Sequence, residues 1–440
     1  MRFKTRLLRP LVYKQPAVDG GGGSDAYSIA RGPSGTDKYL DPNAGSDGTG
    51  TEASPWKTLS EAKLQSLSGT VWLWIKNGTV NAVEARGLPS GDSSNRITVS
   101  AYPGHTPTIN FAVGGAYFGG GDYWDWRGLS ITCEDDGFSL PGDNPSSGAA
   151  IPVNYWRFID CTGTKGTTGT TDNSGVIKLG FGNVEHIEII RCSFTGSESA
   201  SNNRSGIWAD RTQYLKIIGC KLDGFNCPIY YKHNHQQASS ATTDIQIKNC
   251  IIRNSGRSML MCVAYAVLTN CAFDSCDVNF ADDGGDPAGD KNTITNCTFM
   301  NSSRLNFGIP QFPATTDLFL GCYQNVVRNC LFAGSSYLWD NRYGESSNFD
   351  NQTDTDYNCF ASGANVYGRN GSESYSLASY KAAFTDQEVH STSGTIALVG
   401  GSTPGATPTN WALVGGSAGL GAGEGGVDCG VNATKLLTVN

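Results

Sequence analysis

The feature that most constrains this chain is a repeated string of two short apolar runs flanking a corner and a cysteine. It reads Phe158-Ile159-Asp160-Cys161, then Ile189-Ile190-Arg191-Cys192-Ser193-Phe194 and Ile217-Ile218-Gly219-Cys220-Lys221-Leu222. It returns around Cys250, Cys271, Cys297 and Cys330, with Leu129 fitting ahead of the series and Cys359 behind it. Spacings of 32, 31, 28, 30, 21, 26, 33 and 29 residues define a loose period with loops of variable length between constant strings. One such unit cannot bury its own apolar side, whereas stacked copies share a continuous core. The corner residue is Asn, Asp, Gly or Arg; Asn and Gly tolerate a left-handed backbone, and stacked Asn amides can bond up a ladder. Cysteine and the residue two places later then share one face of a strand.

A further strand lies between successive cysteines: Ile177-Lys178-Leu179, Ile207 to Asp210, Ile229 to Lys232, Leu260 to Cys262, Val278 to Phe280, Leu305 to Phe307 and Leu338-Trp339. The expected fold is therefore all-β: a right-handed single-stranded parallel β-helix with three strands per coil. The composition agrees, with 56 glycines and only 16% charged residues in 440. The longest apolar run, Met259 to Leu268, is ten residues, short of the roughly 18 that a membrane span requires. A formal charge of −8 argues against a nucleic-acid partner.

Residues 1–36 form a basic arm (Arg2, Lys4, Arg6, Arg9, Lys14) and a Gly20-Gly21-Gly22-Gly23 hinge, read as an attachment segment or a plain tail. Arg9-Pro10 splits the apolar residues near the start, so no secretory leader is expected. The β-helix is assigned to 37–385, and 386–440 to a Gly/Ser-rich segment wrapping over it.

The N-terminal strings Lys38-Tyr39-Leu40-Asp41-Pro42-Asn43 and Ala53-Ser54-Pro55-Trp56-Lys57-Thr58-Leu59, with Ile97 to Gly104 and the cysteine repeat, resemble the pectate-lyase-like β-helix superfamily. The likeness spans roughly 38–360. It implies a short helix, opened by a capping box at Thr58 to Glu61 and ending about Leu67, over the first coil. The superfamily hosts lyases, hydrolases, isomerases and phage tailspikes, so it fixes a scaffold rather than an activity. In many relatives the third-strand sheet forms a saccharide groove.

Alternation along those strands points Lys178, Trp208, Asp210, Tyr230, Lys232, Met261, Asn279 and Asn306 outward. Exposed aromatics beside polar groups suit sugar rings, so Lys178, Trp208, Tyr230, Asn279 and Asn306 are the expected substrate contacts; an ordinary sheet surface is the competing reading. Asp210 and Lys232 take equivalent positions one coil apart, followed by His233, and these three are the candidate catalytic residues. A lyase would use Lys or His to take the proton alpha to a uronate carboxyl; a glycoside hydrolase would use paired carboxylates. Asp282, Asp283 and Asp286 on a Gly-rich turn would suit Ca2+, or form a solvated turn.

The leading functional expectation is a phage virion protein of tailspike type, held to other virion proteins by residues 1–36. It would bind, and as an enzyme depolymerise, a bacterial surface polysaccharide. The alternatives are a bacterial polysaccharide lyase, extracellular and acting on uronate-containing glycans, and a non-enzymatic virion decoration or fibre protein. The tailspike likeness implies a homotrimer, though no heptad repeat accompanies it. Eight ladder cysteines are expected as buried thiols, since strands about 4.8 Å apart do not suit disulfide geometry. Cys133, Cys227, Cys262, Cys276, Cys322 and Cys429 lie off the ladder, where a bridge could form.

Overall fold

Nine successive ladder corners adopt a left-handed backbone: Gly128, Asp160, Arg191, Gly219, Asn249, Asn270, Asn296, Asn329 and Tyr357 have φ between 51° and 65°. Each turns the chain from one strand into the next, and the repetition of this corner stacks the coils. The computed structural model describes residues 27, 32–69, 71–111, 115–140, 152–169, 173–180, 184–197, 204–210, 212–232, 245–255, 259–261, 266–280, 292–301, 303–307, 325–334, 336–340, 353–363, 367–369, 373–383, 385 and 387–439. Among these, two sheets have 12 strands and a third has 11. The first sheet runs from Lys38–Leu40 to Thr353–Asp356, and the second from Thr79–Asn81 to Thr392–Gly394. The third runs from Ala116–Tyr117 to Glu373–Tyr375. Neighbours pair in parallel except at the last strand of the third sheet, which is antiparallel to Tyr367–Arg369. This is a parallel β-helix.

The core fills the coil interior. Cys161, Cys192, Cys220, Cys250, Cys271, Cys297 and Cys330 are each at most 1% exposed, and none is in a disulfide. Each thiol donates to a carbonyl one coil away: Cys192 to Phe158 at 3.4 Å, Cys220 to Ile189 at 3.3 Å, Cys271 to Ile247 at 3.4 Å. Two residues after Cys271, Cys297 and Cys330, Phe273, Phe299 and Phe332 stack, and Phe360 continues the column, at centroid separations of 4.9–5.0 Å. Of the off-ladder cysteines, Cys133, Cys276 and Cys429 are also free and buried, and Cys227 is buried; Cys262 and Cys322 lie outside the described residues.

Cys359 does not continue the ladder. Leu331 pairs with Cys359 and Phe332 with Phe360, so Asn358 lies under Cys330. A one-residue shift reverses the face of a strand side chain. Cys359 therefore joins a second apolar cluster on the outside of the second sheet, with Leu331, Trp411, Cys429 and Leu436.

That outer cluster is covered by the last part of the chain. Gly430 N–H donates to Asn329 O at 2.7 Å, Val431 N–H to Thr298 Oγ1 at 3.0 Å, and Leu437 N–H to Asn249 O at 2.7 Å. The segment thus descends the corner ladder coil by coil, within the unit formed by residues 32–440.

Near the start, the helix is shorter than expected, Glu61–Gln65, and its cap is Ser60 rather than Thr58. Ser60 has the extended backbone of a cap, and its hydroxyl accepts from Lys63 N–H at 3.3 Å. No described helix is long and apolar enough to cross a membrane.

Candidate functional site on the third sheet

On the third sheet the inward positions are apolar: Ile177, Ile207 and Ile229 form one row, and Leu179, Ala209 and Tyr231 another. Alternation then turns Lys178, Trp208 and Tyr230 outward in a single row, paired coil to coil. The Trp208 and Tyr230 rings are parallel within 2° at a centroid separation of 6.0 Å. Lys178 Nζ sits 5.2 Å from the Trp208 ring centroid, a cation–π distance. Its ammonium also donates to Asp136 Oδ2 at 2.8 Å, and the Asp136 side chain is 7% exposed.

Asp136 belongs to the turn Glu134-Asp135-Asp136 between the second and third sheets, where two more cations gather. Lys165 Nζ donates to Asp135 O. Arg204 donates to Gly166 O at 2.6 Å and also to Glu134 O and Gly169 O. Lys165 and Arg204 are 3% and 1% exposed, so both hold loop carbonyls from inside. Burial, reinforced by Arg204, pulls the Lys165 ammonium down to about 8, against the opposing pull of Cys133, Asp136 and Asp135. Burial pushes the neighbouring Cys133 thiol up to about 11. This turn was missed in the sequence because its partners lie 30 to 70 residues away across loops of unequal length.

Asp210 and Lys232 are register partners, on adjacent strands of one sheet. Asn279 and Asn306 are register partners in the row of Trp208 and Tyr230, reached through Leu260. Met261 is in register with Tyr231 and Phe280, not with Tyr230 and Asn279, so it falls outside the row expected for it. Trp208 is 4% exposed and Asn279 fully buried, so neither is the open contact expected of it. The physical reason for Trp208 is the stacking itself: Lys178 lies against one face and Tyr230 the other. Tyr230 is half-buried. His233, Asp282, Asp283 and Asp286 lie outside the described residues. Among the described residues, no group of three or more His, Cys, Asp or Glu side chains is placed to hold a metal.

No protein-family model matches the chain, and no curated protein matches it. Among solved structures, the pectate lyase Pel9A aligns at TM-score 0.49 and 13% identity, covering 90% of this chain and 96% of that one. A rhamnogalacturonan lyase aligns at 0.40 and 13%, covering 74% and 87%. A PL6 family polysaccharide lyase from Pseudopedobacter saltans aligns at 0.42 and 9%, covering 76% and 90%.

Proposed function

We propose that the protein binds an acidic polysaccharide across the outer face of the third sheet and cleaves it by β-elimination. The observation that carries this reading is the Lys178 ammonium, fixed by Asp136 at 2.8 Å above the Trp208–Tyr230 stack. A fixed cation beside an aromatic row suits a sugar bearing a carboxylate. Lys178 would neutralise that carboxylate as charge develops on it. The proton alpha to the carboxyl passes to Lys232 or His233, the former in register with Asp210. The electron pair left on carbon forms the new double bond, and the glycosidic C–O bond breaks, its oxygen taking a proton from water.

We further propose that the protein sits in a phage virion as a tailspike acting on a bacterial surface polysaccharide. The basic arm and glycine hinge of residues 1–36 motivate it. Mass spectrometry of purified particles checks that placement.

The chemistry is tested by incubating the protein with capsule, lipopolysaccharide and uronate glycans and following product ends. New unsaturated ends are expected. Reducing ends without unsaturation would mean hydrolysis, and binding without either would mean a non-catalytic fibre.

A further inference from the structure

On the first sheet, the corner preceding each strand carries Tyr123, Tyr155, His186 and Tyr214 in four successive coils. Their rings stack at centroid separations of 4.5, 4.5 and 4.4 Å, with planes within 7°. All four have left-handed backbones, φ 54° to 60°, a conformation that bulky side chains rarely take. Stacking fixes the rings on edge, with Tyr155 and Tyr214 each 36% exposed.

Two residues further on, the same four coils place Asp125, Arg157, Glu188 and Lys216 in a parallel row, which Gln246 continues in the next coil. Asp125 is 1% exposed and receives three guanidinium groups, Arg96 at 2.6 Å and Arg127 and Arg157 at 2.7 Å. Lys216 and Glu188 pair at 3.1 Å. Three arginines on one carboxylate leave two positive charges in excess, on a chain whose net charge is −8. Tyr155, His186 and Tyr214, with the charged row from Arg157 onward and Arg96, line an open cleft of about 400 Å³, within the volume range of small-ligand sites.

We infer that this cavity is a second binding site, for a carboxylate-bearing sugar unit. The excess charge of Arg96 and Arg157 calls for an anion. Glu188 in the same wall repels a bare anion but accepts from hydroxyl donors, and Tyr155, Tyr214 and Gln246 complete that lining. A ligand offering one acid and several hydroxyls satisfies both. This site stands independently of the third-sheet reading, from which it differs in sheet, residues and local charge.

The test is calorimetric titration of the full chain with hexasaccharides of galacturonate and mannuronate, their carboxyl-reduced forms and inorganic sulfate. Lys216→Glu, on a side chain 40% exposed, sets a second carboxylate beside Glu188 and should weaken acidic hexasaccharide binding about tenfold or more. Tyr214→Ala should weaken it in the same direction, and the carboxyl-reduced forms should be insensitive to both changes. Tyr230→Ala should leave this component intact. Unaltered binding in Lys216→Glu would overturn the inference, and a loss confined to Tyr230→Ala would do so while sparing the third-sheet proposal. Equal binding of carboxyl-reduced hexasaccharides, displacement by sulfate at matched ionic strength, or no binding of either acidic hexasaccharide would also overturn it.

Discussion

Asn358 lies directly under Cys330 and accepts its backbone N–H through Oδ1 at 2.9 Å. The amide takes the place of an eighth thiol and ties the coil above it to the turn around Glu388. Asn358 Nδ2 donates to Val327 O at 3.0 Å and to the Glu388 carboxylate at 3.1 Å. Asn358→Ala would leave buried partners unsatisfied, at about 1–3 kcal/mol for each group. A fall in denaturant midpoint equivalent to about 2 kcal/mol or more is expected; a variant unfolding with the parent would show that this junction does not hold the coil.

Cys250 tests the ladder proper. It is fully buried, donates to Lys248 O at 3.2 Å and receives Cys220 N–H at 3.4 Å. Cys250→Ser keeps hydrogen-bonding capacity but loses the volume and apolar character of sulfur. Setting a hydroxyl in a close-packed core should destabilise the fold by about 1–3 kcal/mol. Thermal unfolding measures it, and an unchanged Tm would contradict the role of sulfur as packing.

The ladder and its corners were legible because their signal is local: an apolar pair, a corner residue and a cysteine within four positions. The same locality explains the error at Cys359, where Tyr357-Asn358-Cys359 imitates the repeat while the true corner is Tyr357, φ 57°. The ring stack on the first sheet was also present in the sequence. Tyr123, Tyr155, His186 and Tyr214 each stand six residues before Leu129, Cys161, Cys192 and Cys220, an offset visible only once the ladder is aligned. Asp136 with Lys178, by contrast, joins groups 42 residues apart across a corner loop, and no short-range pattern marks such a pair.

Asp125 predicts an acid dependence. Burial works to raise its carboxyl, but the hydrogen bond from Arg157 and the charges of Arg96 and Arg127 outweigh it, holding it below the ordinary 3.8. A carboxyl depressed on folding contributes stability fully present above its unfolded value and lost as pH falls through the folded one. Asp125→Asn removes that contribution and leaves three arginines without their shared carboxylate, costing about 3–5 kcal/mol near neutrality. Denaturant midpoints from pH 7 downward should show a flatter acid limb in the variant; parallel curves would assign the acid loss elsewhere.

Trp208 and Tyr230 should separate packing from binding. With Trp208 only 4% exposed, Trp208→Ala should destabilise the fold, by about 3–5 kcal/mol if its surroundings cannot collapse. Tyr230 is half-buried, and Tyr230→Ala should weaken glycan binding by about 0.5–1.5 kcal/mol at nearly parental stability. Unfolding curves and titrations on the same samples give both numbers. Equal affinity in Tyr230→Ala would remove the third sheet from recognition.

Lys178 carries the proposed chemistry and therefore the sharpest expectation. Its ammonium is paired and partly buried, so its task is to stabilise charge on the sugar acid rather than to accept a proton. Lys178→Gln removes that charge but keeps a donor, and should lower kcat by about 10²–10³-fold with a smaller change in KM, as for loss of one transition-state donor. Asp136→Asn leaves Lys178 present but loosely placed, so a smaller fall in kcat is expected. In the double variant the two losses should not add, because neutralising Asp136 matters only while the lysine it positions is present. Additive losses would mean that Asp136 acts on substrate independently of Lys178. Full turnover in Lys178→Gln, measured as unsaturated ends released, would rule out the elimination route through this lysine.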